Sequence, residues 1–231
     1  MNHSVLHARG LFKSYGSTTA LAGVDLTILR GESVAVMGAS GSGKTTLLHV
    51  LAGITAPDQG RVVFSPAAAG PVEVTSLSET GRSKLRRENF GFVFQQGLLL
   101  PELTALENVA IALMITGRGR AESTERAASW LAALGLAGLE DRRIGELSGG
   151  QAQRVAIARA QVTGAEVVFA DEPTGALDSR TSGDVMDALL WATTQQGRTL
   201  VVVTHDAEVA ARCSRTLSVR DGRLVTAGIP A

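Results

Sequence analysis

Aromatic residues are scarce in this chain, at 4% of its 231 positions, and cysteine occurs once, at Cys213. A lone cysteine excludes an intrachain disulfide and points to a reducing, cytosolic setting. Cys213 reads as a small core or helix residue, not a nucleophile. No charge of either sign is in surplus: Lys+Arg and Asp+Glu both number 22. That balance offers no basic field for a nucleic-acid backbone and no acidic tail of a disordered chain. Long hydrophobic runs are missing as well. The apolar stretches 167–170 and 200–203 are strand-sized, far short of the ~20 residues that cross a bilayer. The opening Met-Asn-His-Ser lacks the apolar core of a signal peptide. If the protein works at a membrane, another chain is expected to supply the spanning part.

What is present is an alternation of short Val-rich runs with longer helical patterns, which reads as α/β with a largely parallel sheet. Ser33–Met37 is a buried-strand candidate that enters a glycine-rich turn, and a helix is expected from Gly43 to about Ala52. Phe90–Phe94 is a second short strand. Thr104 followed by Glu107 forms a capping-box pattern for the next helix. Residues 121–134 are helical and closed by Gly135. Ser148 precedes a strong helix that runs through Arg159. Residues 167–170 form a strand that ends in Asp171-Glu172-Pro173. Residues 179–196 read as helix stopped by Gly197, and 199–204 as the following strand. Residues 215–220 and 223–226 read as a hairpin turned by Asp221-Gly222. Residues 65–71 are loop. The middle third is helical and poor in strands, so a helical subdomain is expected inside the α/β domain.

Gly38-Ala39-Ser40-Gly41-Ser42-Gly43-Lys44-Thr45 fits G-x-x-x-x-G-K-[ST]. Glycines let the backbone wrap closely round phosphate oxygens with N–H groups pointing inward, and the following helix presents its positive end to the same anion. Lys44 is placed to reach the β- and γ-phosphates and Thr45 to ligate Mg²⁺. Further on, a buried strand ends in Asp171 and Glu172. Such a strand holds its C-terminal end rigidly, at the edge where α/β sheets bind ligands. Asp171 is placed for hydrated Mg²⁺, and Glu172 to take a proton from, or orient, an attacking water.

Leu147-Ser148-Gly149-Gly150-Gln151, followed by Ala152-Gln153-Arg154-Val155-Ala156-Ile157-Ala158-Arg159-Ala160, resembles the L-S-G-G-Q signature of ABC-type ATPases. Physically it is a second anion site, with a serine cap, two glycines and a helix N-terminus. The resemblance covers about Val5 to Val225. It implies a single ABC ATPase domain over 1–231: a P-loop NTPase α/β core with an antiparallel β subdomain and a helical subdomain inserted at about 97–160. It implies a nucleotide-binding set of Gly38, Ser40, Gly41, Ser42, Gly43, Lys44, Thr45 and Thr46, with ATP and Mg²⁺ as ligands. Ser148, Gly149, Gly150 and Gln151 are then expected to complete the γ-phosphate pocket of a second copy, so that two chains sandwich two ATP head to tail. Tyr15 matches the aromatic that stacks on adenine. Gln95 matches the glutamine that touches Mg²⁺ or the attacking water. Asp178 matches the loop that crosses the dimer interface, and His205 the histidine that contacts γ-phosphate. Lys44, Gln95, Glu172 and His205 are the expected catalytic set. Thr45, Gln95 and Asp171, the last through water, are the expected metal ligands.

Finer matches in Leu77-Ser78-Glu79 with Leu85-Arg86-Arg87-Glu88-Asn89 before Gly91-Phe92-Val93-Phe94-Gln95-Gln96, in the run from Leu99-Leu100-Pro101 to Glu107-Asn108-Val109, and in Asp171-Glu172-Pro173-Thr174-Gly175-Ala176-Leu177-Asp178 are similar to ATPases of the macrolide-exporter and lipoprotein-release type. That branch implies a permease with few spans and a large external domain, and a place on the inner face of the cell membrane. It is also associated with export or with force transmission across the membrane. Gly97 stands where the branch often has an aromatic, Ala152 replaces a glutamine, Ala176 an asparagine and Gln161 a leucine. A soluble ABC-type ATPase acting on DNA or ribosomes is the second reading. It conflicts with the compact segment between cradle and signature, the single ATPase unit and the neutral charge. A kinase or GTPase of another P-loop class leaves the signature and His205 unexplained.

Overall fold

A computed structural model gives the structure of residues 4–95 and 97–225. Residues 1–3, Gln96 and 226–231 lie outside the described residues, and with them the opening residues, the second of two adjacent glutamines, and Thr226 at the end of the expected hairpin. The chain divides into two compact units, one drawn from Met1–Arg86 with Thr199–Ala231 and the other from Arg87–Arg198.

The first unit contains an antiparallel sheet in the order β2 (Thr18–Leu29), β1 (Ser4–Tyr15), β4 (Gln59–Phe64), β5 (Val72–Glu73). Its pattern is one-faced. In β2, Val24, Leu26 and Ile28 are buried while Asp25 and Thr27 are exposed, the alternation of a sheet wetted on one side. The second sheet of this unit is built differently. β3 (Ser33–Met37) lies between β8 (Thr199–Val203) and β9 (Arg215–Arg220), parallel to both. Every residue of β8 is buried, as continuous apolar runs require when both faces are covered. β10 (Arg223–Val225) returns antiparallel to β9, through a turn in which Asp221 and Gly222 both have positive φ, 48° and 72°. That is the twist a two-residue hairpin demands. α1 (Lys44–Leu51) buries Leu47, Leu48, Val50 and Leu51. α7 (Ala207–Ala211) is short, and Cys213 follows it half-buried. Burial pushes the Cys213 thiol up to about 11, which keeps it protonated and unreactive at neutral pH. α2 (Glu79–Asn89) is the segment in which the chain passes from the first unit to the second. Arg86 and Arg82 both bond the Glu79 carboxylate and hold it down at about 2.

The second unit pairs β6 (Phe90–Phe94) in parallel with β7 (Val167–Asp171). Residues 167–170 are at most 1% exposed. Phe169 stacks on Phe92 and meets Phe90 edge-on. Four helices complete it: α3 (Ala105–Met114), α4 (Arg120–Ala133), α5 (Gly149–Gln161) and α6 (Ser179–Ala192). The expected Thr104 cap is present: its hydroxyl accepts from Glu107 N at 3.2 Å, and Glu107 Oε2 accepts from Thr104 N at 2.9 Å. The helix expected over 179–196 stops earlier. Buried Thr193 turns its hydroxyl back onto Leu189 O at 2.6 Å, and its φ of −114° and ψ of −86° leave the helical region. A 3₁₀ turn at Thr194–Gln196 then ends at Gly197, φ 71°. The side chain competes with the helical ladder and breaks it. Among the described residues, no helix is long and apolar enough to cross a membrane.

Asn108, on α3, is fully buried and organises the segment before the helix. Its Oδ1 accepts from Leu100 N at 2.8 Å, and its Nδ2 faces the carbonyls of Leu100, Thr104 and Leu103 at 2.9, 3.0 and 3.3 Å. Asn108→Leu leaves Leu100 N and Leu103 O without this partner, while Leu100 O and Thr104 O keep their backbone donors. Each such group costs about 1–3 kcal/mol, so urea unfolding is expected to show a loss of at least about 2 kcal/mol. An unchanged midpoint would contradict this.

Candidate functional site

The first unit places one set of predicted residues at the C-terminal ends of parallel strands. Val36 is registered with Val203 on one side and Leu217 on the other. Thr204 N also donates to Val36 O at 3.1 Å. The glycine-rich loop and exposed His205 therefore leave the sheet at the same edge. At Gly38 and Gly43 the loop runs so close to its surroundings that a side chain is excluded. A Cβ on Gly38 would lie 2.3 Å from Val219 O and 2.6 Å from Ser42 Oγ; one on Gly43, where φ is 106°, would lie 2.1 Å from Ala20 O. The Lys44 side chain folds back over the loop, and its ammonium donates to Gly38 O and Ala39 O at 2.8 and 2.9 Å. Ser42 Oγ is buried without a hydrogen-bond partner. An unpaired hydroxyl in a glycine-rich loop at a helix start suits an oxygen-rich anion. Ser40, Gly41 and Thr45 are exposed along the loop and helix start, and Thr46 is half-buried.

Tyr15 ends β1 with 52% of its surface exposed. The Lys13 ammonium stands 5.6 Å from its ring centroid and is bonded to Asp58 Oδ1 at 2.8 Å. Asp58 Oδ2 also accepts from Ser14 N at 2.7 Å. The Lys13 bond first, and the Ser14 N–H second, hold the Asp58 carboxyl below the usual carboxylate range. The Lys13–Asp58 pair fixes the turn that carries the ring, and nothing in the local sequence announces a pair 45 residues apart.

The second unit gathers another set. Phe94 is registered with Asp171 across the β6–β7 pair, so Gln95 emerges beside Asp171 and Glu172. Glu172 is one of three non-glycine residues with positive φ among those described, at 47°. A non-glycine residue in that region carries backbone strain of the kind that concentrates at working sites. The next turn closes with Gly175 N donating to Glu172 O at 3.1 Å. The Gln95 amide lies against this turn, and a Cβ at Gly175 would meet Gln95 Nε2 at 3.0 Å.

The head of α5 is a full capping box: Ser148 Oγ accepts from Gln151 N at 3.2 Å, and Gln151 Oε1 accepts from Ser148 N at 2.8 Å. Ser148 and Gly149 are exposed. Gly150 is buried, and its missing side chain is a packing requirement, since a Cβ there would lie 2.5 Å from Thr181 Cγ2 on α6. Asp178 caps α6. It accepts from Thr181 N at 3.0 Å and from Thr181 Oγ1 at 2.7 Å, and these two bonds hold its carboxyl below the usual range.

Comparison with known proteins bears directly on this arrangement. The family described as ABC transporter matches residues 21–175. The chain belongs to the ABC transporter family. It is an ATP-binding domain of that family, with the mixed antiparallel and parallel sheets and helices of such cassettes. It is similar to the dimeric structure of the cassette MJ0796 in a post-hydrolysis state bound to ADP and Pi. The TM-score is 0.84 at 38% identity, over 95% of this chain and 96% of that one. It is 48% identical to a macrolide export ATP-binding/permease protein, MacB, of Rhodopseudomonas palustris, over 97% of this chain. It is 44% identical to a pyoverdine export ATP-binding/permease protein, PvdT, of Pseudomonas fluorescens, over 98%. The chain spans about a third of the length of these two relatives, 34% in each case.

Within this ABC domain, the contact of Gly150 with Thr181 separates packing from ligand binding. Gly150→Ala is expected to destabilise the fold, and Thr181→Ser in the same chain to recover most of the loss, because serine removes the colliding methyl and keeps the hydroxyl for Asp178. Thermal melts of the two variants check this. Failure of Thr181→Ser to rescue would mean that Gly150 is required for another reason.

Proposed function

We propose that this chain hydrolyses ATP to ADP and phosphate as one half of a nucleotide-bridged homodimer, and that it drives a membrane permease. Residues 1–231 act as one ABC ATPase domain with a helical insert at about 97–160. The observation that carries the reading is the Phe94–Asp171 register, with Glu172 strained at the next position. It sets a glutamine, an aspartate and a glutamate together at a strand end. Similarity to a cassette bound to ADP and Pi supports the same chemistry.

In this account Tyr15 stacks on adenine. The backbone N–H groups at Gly38, Ser40, Gly41, Ser42 and Gly43, with Lys44, Thr45 and Thr46, hold the phosphates. The fit rests on the buried, unpartnered Ser42 hydroxyl and on the close backbone approach at Gly38 and Gly43 that gives the loop its path. Thr45, Gln95 and, through water, Asp171 would hold Mg²⁺, which offsets phosphate charge when bound. Lys44 exchanges its two loop carbonyls for phosphate oxygens. Glu172 accepts a proton from the attacking water, and His205 holds the γ-phosphate in line. Ser148, Gly149, Gly150 and Gln151 of a second copy close the pocket from the far side, and Asp178 borders that interface. Loss of the γ-phosphate then releases the bridge.

The permease reading rests on the names of the export relatives and on an apolar surface of the second unit. Leu98, Leu100, Met114 and Ile115 are 60, 44, 42 and 57% exposed. A cleft of about 470 Å³ beside α3 is lined by Leu106, Ala110, Ile111 and Met114. In this reading the cleft and these exposed side chains lie where the permease docks. The partner is a permease with few spans and a large external domain, and the chain sits on the inner face of the membrane through it. Co-purification of such a permease from gently solubilised membranes tests this; recovery without any membrane partner would contradict it.

Two substitutions test the chemistry. Glu172→Gln keeps shape and loses the base, so turnover falls by about 100-fold or more while ATP binding persists. Lys44→Ala removes the charge-assisted bonds to phosphate, and nucleotide affinity drops about tenfold or more. Unchanged turnover in the first, or unchanged affinity in the second, would overturn the respective assignment.

A further inference from the structure

The turn that carries Gln95 is held from α5. Arg159 donates through Nη1 to Leu98 O at 2.8 Å and through Nη2 to Gly97 O at 2.7 Å. Gln153, 4% exposed, donates through Nε2 to Phe94 O at 2.9 Å. The carbonyls on both sides of Gln95 are thus tied to one helix. The turn needs such support. Gly97 and Leu98 both have positive φ, 67° and 46°, a conformation unfavourable for leucine. The Leu98 side chain is 60% exposed, so packing does little to hold it. Gly97 can adopt this geometry where an aromatic would be strained, which gives the departure at that position a physical reason. The Arg159 guanidinium is largely buried, and that burial draws its pKa down. Its two aligned donors meet two successive carbonyls, a fit to the planar fork that a lysine cannot reproduce.

We propose that Arg159 and Gln153 are positioning residues for the ATPase reaction: they lock the Gln95 turn to the helix headed by Ser148, so that Gln95 reaches its working place only while that helix holds it. The proposal rests on the reading of Gln95 as a group at the metal and the attacking water. It goes further by giving α5 two tasks, one at its head and one along the face that carries Gln153 and Arg159. A displacement of the helix head by a second copy's nucleotide is then carried to the glutamine of its own site, and to the exposed Leu98 beside it.

The test is a double-mutant cycle on the purified chain, comparing wild type, Gln95→Ala, Arg159→Gln and the double variant. Arg159→Gln is expected to lower kcat about tenfold, since misplacement of a working group by about 1 Å costs up to ~100-fold. It should raise the Mg²⁺ concentration for half-maximal turnover, with ATP binding in EDTA unchanged. The double variant should turn over like Gln95→Ala alone. Arg159→Lys should recover part of the loss. Gln153→Met, which removes only the bond to Phe94, should reproduce a smaller loss even if Arg159→Gln fails to fold. A merely structural role would move the melting temperature but not the Mg²⁺ requirement. The clamp is overturned by wild-type kinetics in Arg159→Gln or Gln153→Met, or by losses that multiply in the double variant. Wild-type turnover in Gln95→Ala overturns the assignment of Gln95, and the clamp with it.

Discussion

β3 is hydrogen-bonded in parallel between β8 and β9, and β6 is hydrogen-bonded in parallel to β7. Because β3, β7 and β8 are buried on both faces, a slip by one residue would exchange the side chains packed on the two faces and break the packing of each. Their registers are therefore fixed by the core, and the residues just past their C-terminal ends inherit fixed positions. Lys44 and His205 owe their common edge to the alignment of Val36 with Val203. Gln95, Asp171 and Glu172 owe theirs to the alignment of Phe94 with Asp171. The apolar side chains that stabilise the fold, among them Val34, Val36, Val168 and Val203, thus also set the geometry of the polar groups that would act on a nucleotide.

Beyond the strand ends, the placement of reactive groups depends on close backbone contact. Gly38 and Gly43 sit against backbone oxygens where any side chain would collide, and Gly175 against the amide of Gln95. At Gly150 the neighbour is a methyl group of Thr181 on α6. The same residue type serves two ends here: backbone-to-backbone contact in the loop, and helix packing at the signature. Strain concentrates in the same places, at Glu172 and Leu98, which hold left-handed backbone conformations without being glycine.

Much of this was legible in the chain itself, because the informative patterns are local. The capping box at Thr104, the serine cap at Ser148, the Asp221-Gly222 turn and the glycine-rich loop each declare themselves within a few residues. The hydrophobic runs gave β3, β6, β7 and β8 within a residue of their ends. What escaped depends on distant partners. Lys13 with Asp58, Asn108 with the carbonyls of Leu100 and Leu103, and Arg159 with Gly97 and Leu98 are pairings that no spacing rule predicts. The early end of α6 escaped for another reason: Thr193 breaks the helix through its own buried hydroxyl, although the surrounding sequence favours helix. Gln161 remains at odds with its setting. It is 2% exposed, its Nε2 has no partner, and nothing in the structure explains why an amide stands there.

In the proposed function nucleotide joins two copies of this chain, with the Ser148–Gly149–Gly150 head of one closing over the Lys44 loop of the other. Sedimentation of the Glu172→Gln variant measures this most directly, since bound ATP is then not consumed. The account predicts the mass of one chain with ADP, and of two chains with ATP and Mg²⁺, with the shift to two abolished by Ser148→Arg. A single-chain mass under every nucleotide condition, or a dimer indifferent both to ATP and to Ser148→Arg, would contradict it.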